Sequence, residues 1–204
     1  MIDVELGQHD VSRETLDNLK IYVSLIEKWN PRINLVSKTS LSHIWTRHIW
    51  DSAQLFEIVD KGKLWADLGS GGGLPAIVLA ILAKETRPEL DFHLIESDQR
   101  KCAFLRTCIR EIGLNAMVTT VRIEKLHPMT ADIVSARALA DLEGLLAFSE
   151  RHLKEGGISI FPKGETWKKE IADAEENWSF EYEEIKSNTN PNAAILKIWN
   201  IERV

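Results

Sequence analysis

The segment WADLGSGGGLPAIVLA, Trp65–Ala80, joins an apolar strand pattern to an apolar helix pattern through a glycine-rich loop. The glycines at 69, 71 and 73 have the spacing G-x-G-x-G, and Gly72 adds a fourth. Glycine tolerates positive φ and has no Cβ that would keep a ligand away from the backbone. The free N–H groups at the start of the following helix favour a negative group in the same space. The segment therefore predicts a ligand-binding turn between a strand and a helix.

Two common phosphate-binding loops do not fit this spacing. The dinucleotide loop G-x-G-x-x-G would need glycine where Leu74 stands, and the segment lacks the Gly-Lys-Ser/Thr of nucleotide triphosphatases. Instead, Asp67 ends the strand before the loop and Glu96 ends the next strand. An acid at the second position can accept hydrogen bonds from both hydroxyls of a ribose. This order of strands, acids and glycine loop is typical of S-adenosylmethionine-dependent methyltransferases.

Strand patterns and helix patterns alternate through the rest of the chain. Strands are predicted at 64–68, 91–97, 116–122, 131–137 and 158–163. Helices are predicted at 74–84, 98–112, 141–153 and 165–177. The alternation indicates a parallel sheet with helices on both faces. The last two strand patterns, 180–186 and 193–199, are separated by a turn without a helix, so they predict a C-terminal antiparallel hairpin.

The N-terminal part has a helical pattern of its own. Ser12 can cap a helix whose apolar residues step by three and four, and we expect Asn30-Pro31 to end it. A second helix is predicted from about Ser40 to Phe56. We therefore predict a small helical cap over residues 1–60 and one compact Rossmann-like domain over residues 61–204. The predicted fold is α/β, with a mostly parallel seven-stranded sheet.

Composition is that of a globular protein. The 204 residues are 44% hydrophobic and 27% charged, enough for one sizeable core. No apolar run approaches the roughly 20 residues of a membrane helix, and the acidic N-terminus lacks a signal-peptide core. Cys102 and Cys108 are expected to face different sides of one helix and to stay reduced, which favours the cytoplasm. No metal-ligand spacing is present, so no metal is expected, and without an apolar oligomer seam we expect a monomer.

Charge is distributed unevenly along the chain. The net charge of −6 argues against unspecific nucleic-acid binding. Residues 28–50 nevertheless contain no acid and carry four Lys or Arg, two His and three interleaved Trp. Such a surface can bind phosphates and stack bases. An amphipathic helical arm that happens to lack acids explains the same pattern equally well.

The sequence also narrows the range of possible methyl acceptors. The loop after the fourth strand, SARALADL (135–142), is not the Asn/Asp-Pro-Pro-aromatic loop that usually serves methylation of exocyclic amines. Methylation of pyrimidine C5 needs a cysteine nucleophile, and both cysteines lie on the helix after the second strand. Guanine N7 needs neither such a loop nor a cysteine, because it attacks the methyl group directly and has no proton to lose. Such a site has to position the base, with Arg, Lys or His as donors to O6.

Four segments together resemble the RsmG/GidB family of bacterial methyltransferases, which make N7-methylguanine in 16S rRNA. They are NLVSKTSLSHIWTRHIWDSAQL (34–55), WADLGSGGGLPAIVLAI (65–81), ARALADLEGLL (136–146) and GGISIFPKG (156–164). The resemblance covers nearly the whole chain, and the R-H-x-x-D-S block beside D-x-G-x-G-x-G-L-P is its most specific part. It implies methyl transfer from S-adenosylmethionine to one guanine of 16S rRNA. The implied partner is the small ribosomal subunit or an assembly intermediate.

The glycine loop and the resemblance together give the expected site residues. Cofactor contacts are expected from Asp67, Gly69, Gly71, Gly73, Leu74, Glu96, Ile123, Glu124 and Arg137. Positioning of the base, without a general base, is expected from Arg47, His48, Arg137 and Lys163. The chain departs from the family pattern in having Ala136 for Ser, Pro162 for Leu and Ala76 for Gly.

Two other functions stay open from the sequence. One is a methyltransferase for a small molecule, with the N-terminal helices as a lid. The other is a non-catalytic ribosome-assembly factor that binds S-adenosylmethionine as a ligand.

Overall fold

The computed structural model describes residues 11–204, and its elements alternate as the sequence predicts. The α-helices are α1 (Arg13–Ile33), α2 (Lys38–Leu41), α3 (Asp51–Ala53), α4 (Ala76–Thr86), α5 (Gln99–Ile112), α6 (Leu142–His152) and α7 (Trp167–Ala174). A π-helix spans Trp45–Trp50, and 3-10 turns span Phe56–Ile58 and Ile123–Lys125. The strands are β1 (Leu64–Leu68), β2 (Asp91–Glu96), β3 (Ala116–Thr120), β4 (Ala131–Ala136), β5 (Leu153–Lys163), β6 (Trp178–Lys186) and β7 (Ala194–Arg203).

The strands form one seven-stranded sheet in the order β3-β2-β1-β4-β5-β7-β6. The first five are parallel, and β7 is antiparallel to both β5 and β6, which confirms the predicted sheet and terminal hairpin. Because β1 lies between β2 and β4, the strand order reverses there. Open α/β sheets bind ligands at the carboxyl ends of the strands beside such a reversal. The glycine loop follows β1 at this position.

Two apolar clusters cover the two faces of the sheet. Helix α4 is buried along its whole apolar run because the sheet covers one side and the N-terminal helices cover the other. Leu19 and Ile26 of α1 belong to the same buried cluster as Ile77 of α4 and Phe104 of α5. The N-terminal helices therefore share the main core. Within residues 11–204, no helix has both the length and the apolar composition to cross a membrane.

Helix α1 continues past its predicted end. Its N-cap is Ser12, as predicted, but it includes Pro31 and runs to Ile33. Proline is tolerated there because it lies in the last turn and the Asn30 side chain supplies a separate cap. The Asn30 Oδ1 atom accepts hydrogen bonds from the amides of Leu35 and Val36 at 2.7 and 2.9 Å. The chain then turns through Asn34, whose φ is +49°.

The single helix predicted from Ser40 to Phe56 is wrong. The segment consists of α2, the π-helix, α3 and a 3-10 turn. Hydroxyl groups of Ser40, Ser42 and Thr46 each donate to a backbone carbonyl three residues earlier. Such bonds compete with helical backbone pairing, so apolar periodicity alone overestimated the length of this helix. The π-helix carries Arg47 and His48, and π-helical turns occur frequently at functional sites.

The N-terminal helices hold the glycine loop directly. The buried Tyr22 hydroxyl donates to the Gly72 carbonyl at 2.6 Å. A Cβ on Gly72 would lie 3.3 Å from the Leu35 carbonyl oxygen, so the chain after α1 packs closely on the loop. Burial raises the pKa of Tyr22 well above its usual value, so the hydroxyl keeps its proton and stays a donor.

Tyr22→Phe is expected to lower the free energy of unfolding by about 1–3 kcal/mol, because the Gly72 carbonyl would lose its donor in a buried place. Urea denaturation measures this difference. Tyr182→Phe is the control: its ring lies on β6 and is 40% exposed, so we expect a change within about 0.5 kcal/mol. Coincident unfolding curves for the two variants would contradict the assigned contact.

Candidate active site

The glycines of the loop serve two different purposes. All of Gly69, Gly71 and Gly73 have positive φ, at +65°, +54° and +84°. A Cβ on Gly69 would lie 2.6 Å from a Leu139 methyl carbon, and one on Gly73 would lie 2.4 Å from Ile77 Cγ1. A Cβ on Gly71 would meet only the Gly69 carbonyl oxygen, at 3.7 Å. Gly69 and Gly73 are thus needed for packing, whereas Gly71 keeps open space in front of the backbone.

Glu96 fastens the loop to the end of β2. Its Oε2 accepts a hydrogen bond from the Gly71 amide at 2.9 Å. Its Oε1 accepts from the amides of Ser97 and Asp98 at 2.6 and 2.8 Å. A carboxylate can accept about four hydrogen bonds, so capacity remains for a ligand. The sequence predicted Glu96 as a ligand contact but not as the anchor of the loop.

Asp67 lies beneath the loop and is fully buried. The Ser135 hydroxyl donates to Asp67 Oδ1 at 2.7 Å and accepts from the Trp65 indole N–H at 2.8 Å. Asp67 Oδ2 has no hydrogen-bond partner among residues 11–204. Burial raises the pKa of Asp67 to about 6, against the opposing effect of the Ser135 hydrogen bond.

A cavity of about 400 Å³ opens above the loop. Five of the expected cofactor residues line it: Gly69, Gly71, Glu96, Ile123 and Glu124. Of the other expected cofactor residues, Asp67, Gly73 and Leu74 are buried and do not line this cavity, and Arg137 lines a different one. Sequence reasoning missed Lys101, Val121, Arg122, Ala138 and Leu139, which also line the cavity. We call it the loop cavity.

A second cavity, of about 790 Å³, lies beside the first. It brings together the four residues expected to position the base: Arg47, His48, Arg137 and Lys163. Ala138 lines both cavities and has a φ of +52°, which is uncommon for a residue with a Cβ. This backbone turn places Arg137 on the large cavity and Leu139 on the loop cavity. We call the larger space the acceptor cavity.

Arg137 is held by a short polar network. Its guanidinium contacts His48 Nδ1 at 3.1 Å and Asp51 Oδ2 at 3.4 Å. The Thr189 hydroxyl donates to Asp51 Oδ1 at 2.6 Å. The network thus joins the π-helix region, the end of β4 and the turn between β6 and β7. Asp51 was part of the matched sequence block, but only the predicted turn at 188–192 hinted at Thr189.

The His48 ring is neutral in this network. Burial, followed by the nearby charge of Arg137, lowers the pKa of His48 to about 4. Because guanidinium can only donate, His48 Nδ1 must be the acceptor and the ring proton must be on Nε2. Lys163 is also engaged: its ammonium pairs with Glu170 at 2.7 Å and donates to the Ala140 carbonyl at 3.2 Å.

The cysteines lie away from these cavities. Cys102 and Cys108 are buried, free thiols on α5, which confirms that they do not bond to each other. Burial raises the pKa of Cys108 to about 12, so it is not poised as a nucleophile. No group of three or more His, Cys, Asp or Glu side chains in residues 11–204 is arranged to hold a metal ion.

Comparison with known proteins assigns the family. The family model described as rRNA small subunit methyltransferase G matches residues 15–196. This chain belongs to that family. It is 58% identical over 195 residues to the ribosomal RNA small subunit methyltransferase G of Ruegeria pomeroyi, covering 96% of each chain.

Solved structures agree on the fold. The chain has a TM-score of 0.59 and 13% identity with a SAM-dependent methyltransferase from Aquifex aeolicus, over 88% of this chain and 97% of that one. It has a TM-score of 0.56 and 18% identity with M. jannaschii TYW2 in complex with AdoMet, over 77% of this chain and 76% of that one. This member of the methyltransferase G family therefore has the Rossmann-like methyltransferase fold predicted from its sequence.

Gly71→Ala is expected to weaken S-adenosylmethionine binding by at least about tenfold, or about 1.4 kcal/mol, because the new methyl group enters the loop cavity. Its cost to folding should stay near 1–2 kcal/mol, the usual penalty for a Cβ at positive φ. Gly73→Ala is the matched control. It should destabilise the protein more, because its Cβ would collide with Ile77. Calorimetric titration and thermal unfolding separate the two effects, and equal affinity of Gly71→Ala and wild type would contradict the assignment.

Asp67→Asn is expected to change how stability depends on pH. The folded protein keeps the Asp67 proton up to about pH 6, whereas the unfolded chain releases it near 3.8. Wild-type stability should therefore fall as pH rises through this window, by about 3 kcal/mol from this group. Asn has no proton to release, so the variant should gain about 2 kcal/mol of this relative to wild type between pH 4 and pH 6.

Urea denaturation of both proteins at several pH values tests whether the stability of the variant relative to wild type rises with pH. Only the difference between the two proteins is used, because His48 contributes oppositely: its lowered pKa makes stability fall as pH falls from about 6.5 to 4. A difference that stays constant across the window would contradict the buried, proton-holding state of Asp67.

Proposed function

We propose that this protein transfers a methyl group from S-adenosylmethionine to N7 of a guanine in 16S rRNA. The observation that carries the proposal is the meeting of two cavities at Ala138, one on the glycine loop and one lined by Arg47, Arg137 and Lys163. Family membership supports rRNA of the small subunit as the substrate. We include the small ribosomal subunit or an assembly intermediate as the partner, and a cytoplasmic monomer as the acting form.

The loop cavity fits the proposed cofactor. The free space in front of Gly71 lets an amino-acid or ribose group approach the backbone. Glu96 would hold the ribose hydroxyls with its remaining acceptor capacity, and Ile123 would contact the adenine. When bound, S-adenosylmethionine supplies an electrophilic methyl group on a sulfonium. Ala138 and Leu139 line this cavity, and Ala138 also lines the acceptor cavity, where the methyl group would be transferred.

The acceptor cavity is suited to holding a base rather than to removing a proton. His48 Nδ1 is occupied by Arg137, and the Lys163 ammonium is paired with Glu170. Guanine N7 requires no base, since it carries no proton. Arg137, kept in place by His48 and Asp51, would donate to the O6 edge of guanine. Catalysis then consists of orientation and the exclusion of water.

The carboxylates around this cavity suit the proposed product. Methylation at N7 leaves a positive charge on the base. Asp51, Glu165 and Glu170 line the acceptor cavity and would stabilise that charge as it develops. The same cavity thus contains Arg137, which would bind the neutral base through its O6 atom, and carboxylates that would stabilise the charged product. This combination suits guanine N7, which has no proton to lose and becomes cationic on methylation.

The direct test is methyl transfer from labelled S-adenosylmethionine to small subunits isolated from cells that lack this activity. The product is mapped by chain cleavage selective for N7-methylguanine. We expect label at a single guanine. Arg137→Ala should lower kcat/KM for the subunit by about a hundredfold, about 2.7 kcal/mol, because a charged donor to the base is lost. Lys20→Ala, an exposed α1 variant, should act as wild type.

The contrary outcomes point to specific alternatives. Label in a free metabolite but not in the subunit would favour a small-molecule methyltransferase. Cofactor binding without label in any substrate would favour an assembly factor that binds S-adenosylmethionine as a ligand. Label at an exocyclic amine would overturn the assignment of N7.

A further inference from the structure

A groove of about 580 Å³ adjoins the acceptor cavity on the N-terminal side of the molecule. Its lining residues are His43, Thr46, Arg47, Trp50, Asn188 and Thr189. We propose that this groove, here called the flanking groove, binds the nucleotide next to the methylated guanine on the same RNA strand. The proposal rests on the proposed function and deepens it, because it defines the form of RNA that the site accepts.

The groove is continuous with the acceptor cavity. Arg47 and Thr189 line both spaces. Thr189 is fixed there by its 2.6 Å hydrogen bond to Asp51, which itself contacts Arg137. A strand whose guanine occupies the acceptor cavity must therefore pass Arg47 and Thr189 to leave it on this side. The phosphate that joins the two nucleotides would lie beside Arg47.

The chemistry of the groove matches a nucleotide. None of its six lining residues is acidic, although the whole chain has a net charge of −6. Arg47 is exposed and makes no ion pair within residues 11–204, whereas Arg100 and Arg110 are paired with Asp98 and Glu111. An unpaired guanidinium is available to a phosphate, and the Trp50 ring offers a face for a base. The volume lies within the range of ordinary ligand sites.

Neighbouring residues of the π-helix line two different spaces, the flanking groove and the acceptor cavity. His43, Thr46, Arg47 and Trp50 all line the flanking groove, so they share one side of this segment. His48 is rotated away from that side and lines only the acceptor cavity, where it contacts Arg137. The π-helix thus presents the Arg47 guanidinium to the RNA strand and the His48 ring to the acceptor cavity.

This arrangement sets a requirement on the substrate. The guanine and its neighbour would lie in two separate spaces on either side of Arg47, so they cannot remain stacked in a regular duplex. The site therefore takes an unpaired or splayed segment of RNA, as is common for sequence-specific RNA recognition.

The test compares two added carboxylates on the same segment. Thr46→Glu places a negative charge in the flanking groove, and Ser42→Glu places one on an exposed position outside both spaces. The two hydroxyls are matched, since each donates to a backbone carbonyl three residues earlier at 3.2 Å. Asn188→Glu repeats the test from the opposite wall in case Thr46→Glu fails to fold. Circular dichroism confirms the fold of each variant.

The probes are a fluorescent hexaribonucleotide with one central guanine and, as its competitor, guanosine, which carries no phosphate. Thr46→Glu should weaken binding of the hexaribonucleotide by about tenfold. Binding of guanosine should change less than about twofold, because it fills only the acceptor cavity. Ser42→Glu should leave both affinities unchanged.

Equal hexaribonucleotide affinities for Thr46→Glu and Ser42→Glu would overturn the flanking groove, as would equal weakening of both probes by Thr46→Glu. Binding of the hexaribonucleotide without label at a guanine of the small subunit would overturn the proposed function instead, and the comparison of variants would still decide the groove. Wild-type protein that binds neither probe would overturn the flanking groove, and labelling of the small subunit would still decide the proposed function.

Discussion

The hydrogen bond from the Gly71 amide to the Glu96 carboxylate is the contact on which the site depends. It joins the loop after β1 to the end of β2, so the space between the two strands has a fixed shape. Tyr22 adds a second restraint through the Gly72 carbonyl. A loop rich in glycine has high conformational entropy when free, and these two bonds offset that cost locally. The N-terminal helices therefore hold the glycine loop in place and are not only a cover for α4.

The junction at Ala138 connects that loop to the acceptor side. Its positive φ turns successive side chains in different directions, which places Arg137 and Leu139 on two cavities. Backbone strain of this kind persists only where the surroundings hold it. Here the holding contacts are the Arg137 network and the packing of Leu139 against the position of Gly69. One short segment after β4 thus fixes where the loop cavity and the acceptor cavity lie relative to each other.

Most of the fold could be predicted from the sequence because apolar periodicity reports burial. The first strand has the predicted bounds, and the sheet with its terminal hairpin followed from the alternation of patterns. The π-helix could not be predicted, since hydroxyl bonds to the backbone leave no trace in periodicity. Nor could the pairing of Lys163 with Glu170 or the contact of Thr189 with Asp51, 138 positions away. Motif spacing named the site residues, but only the three-dimensional packing shows which of them are already engaged with one another.

Net charge is a poor guide to the partners of this protein because the charges are segregated. Eight acids lie between residues 165 and 184; Glu165 and Glu170 line the acceptor cavity, whereas Glu181, Glu183 and Glu184 lie on the edge strand β6, far along the sheet from the glycine loop. The flanking groove, by contrast, has no acidic lining residue among residues 11–204, and its Arg47 makes no ion pair within that part of the chain. Exposed charges separated by more than about 8–10 Å are largely screened at physiological salt, so each surface acts on its own. An acidic protein can then present a local cationic path to RNA, while its acidic side disfavours binding to RNA in the wrong orientation.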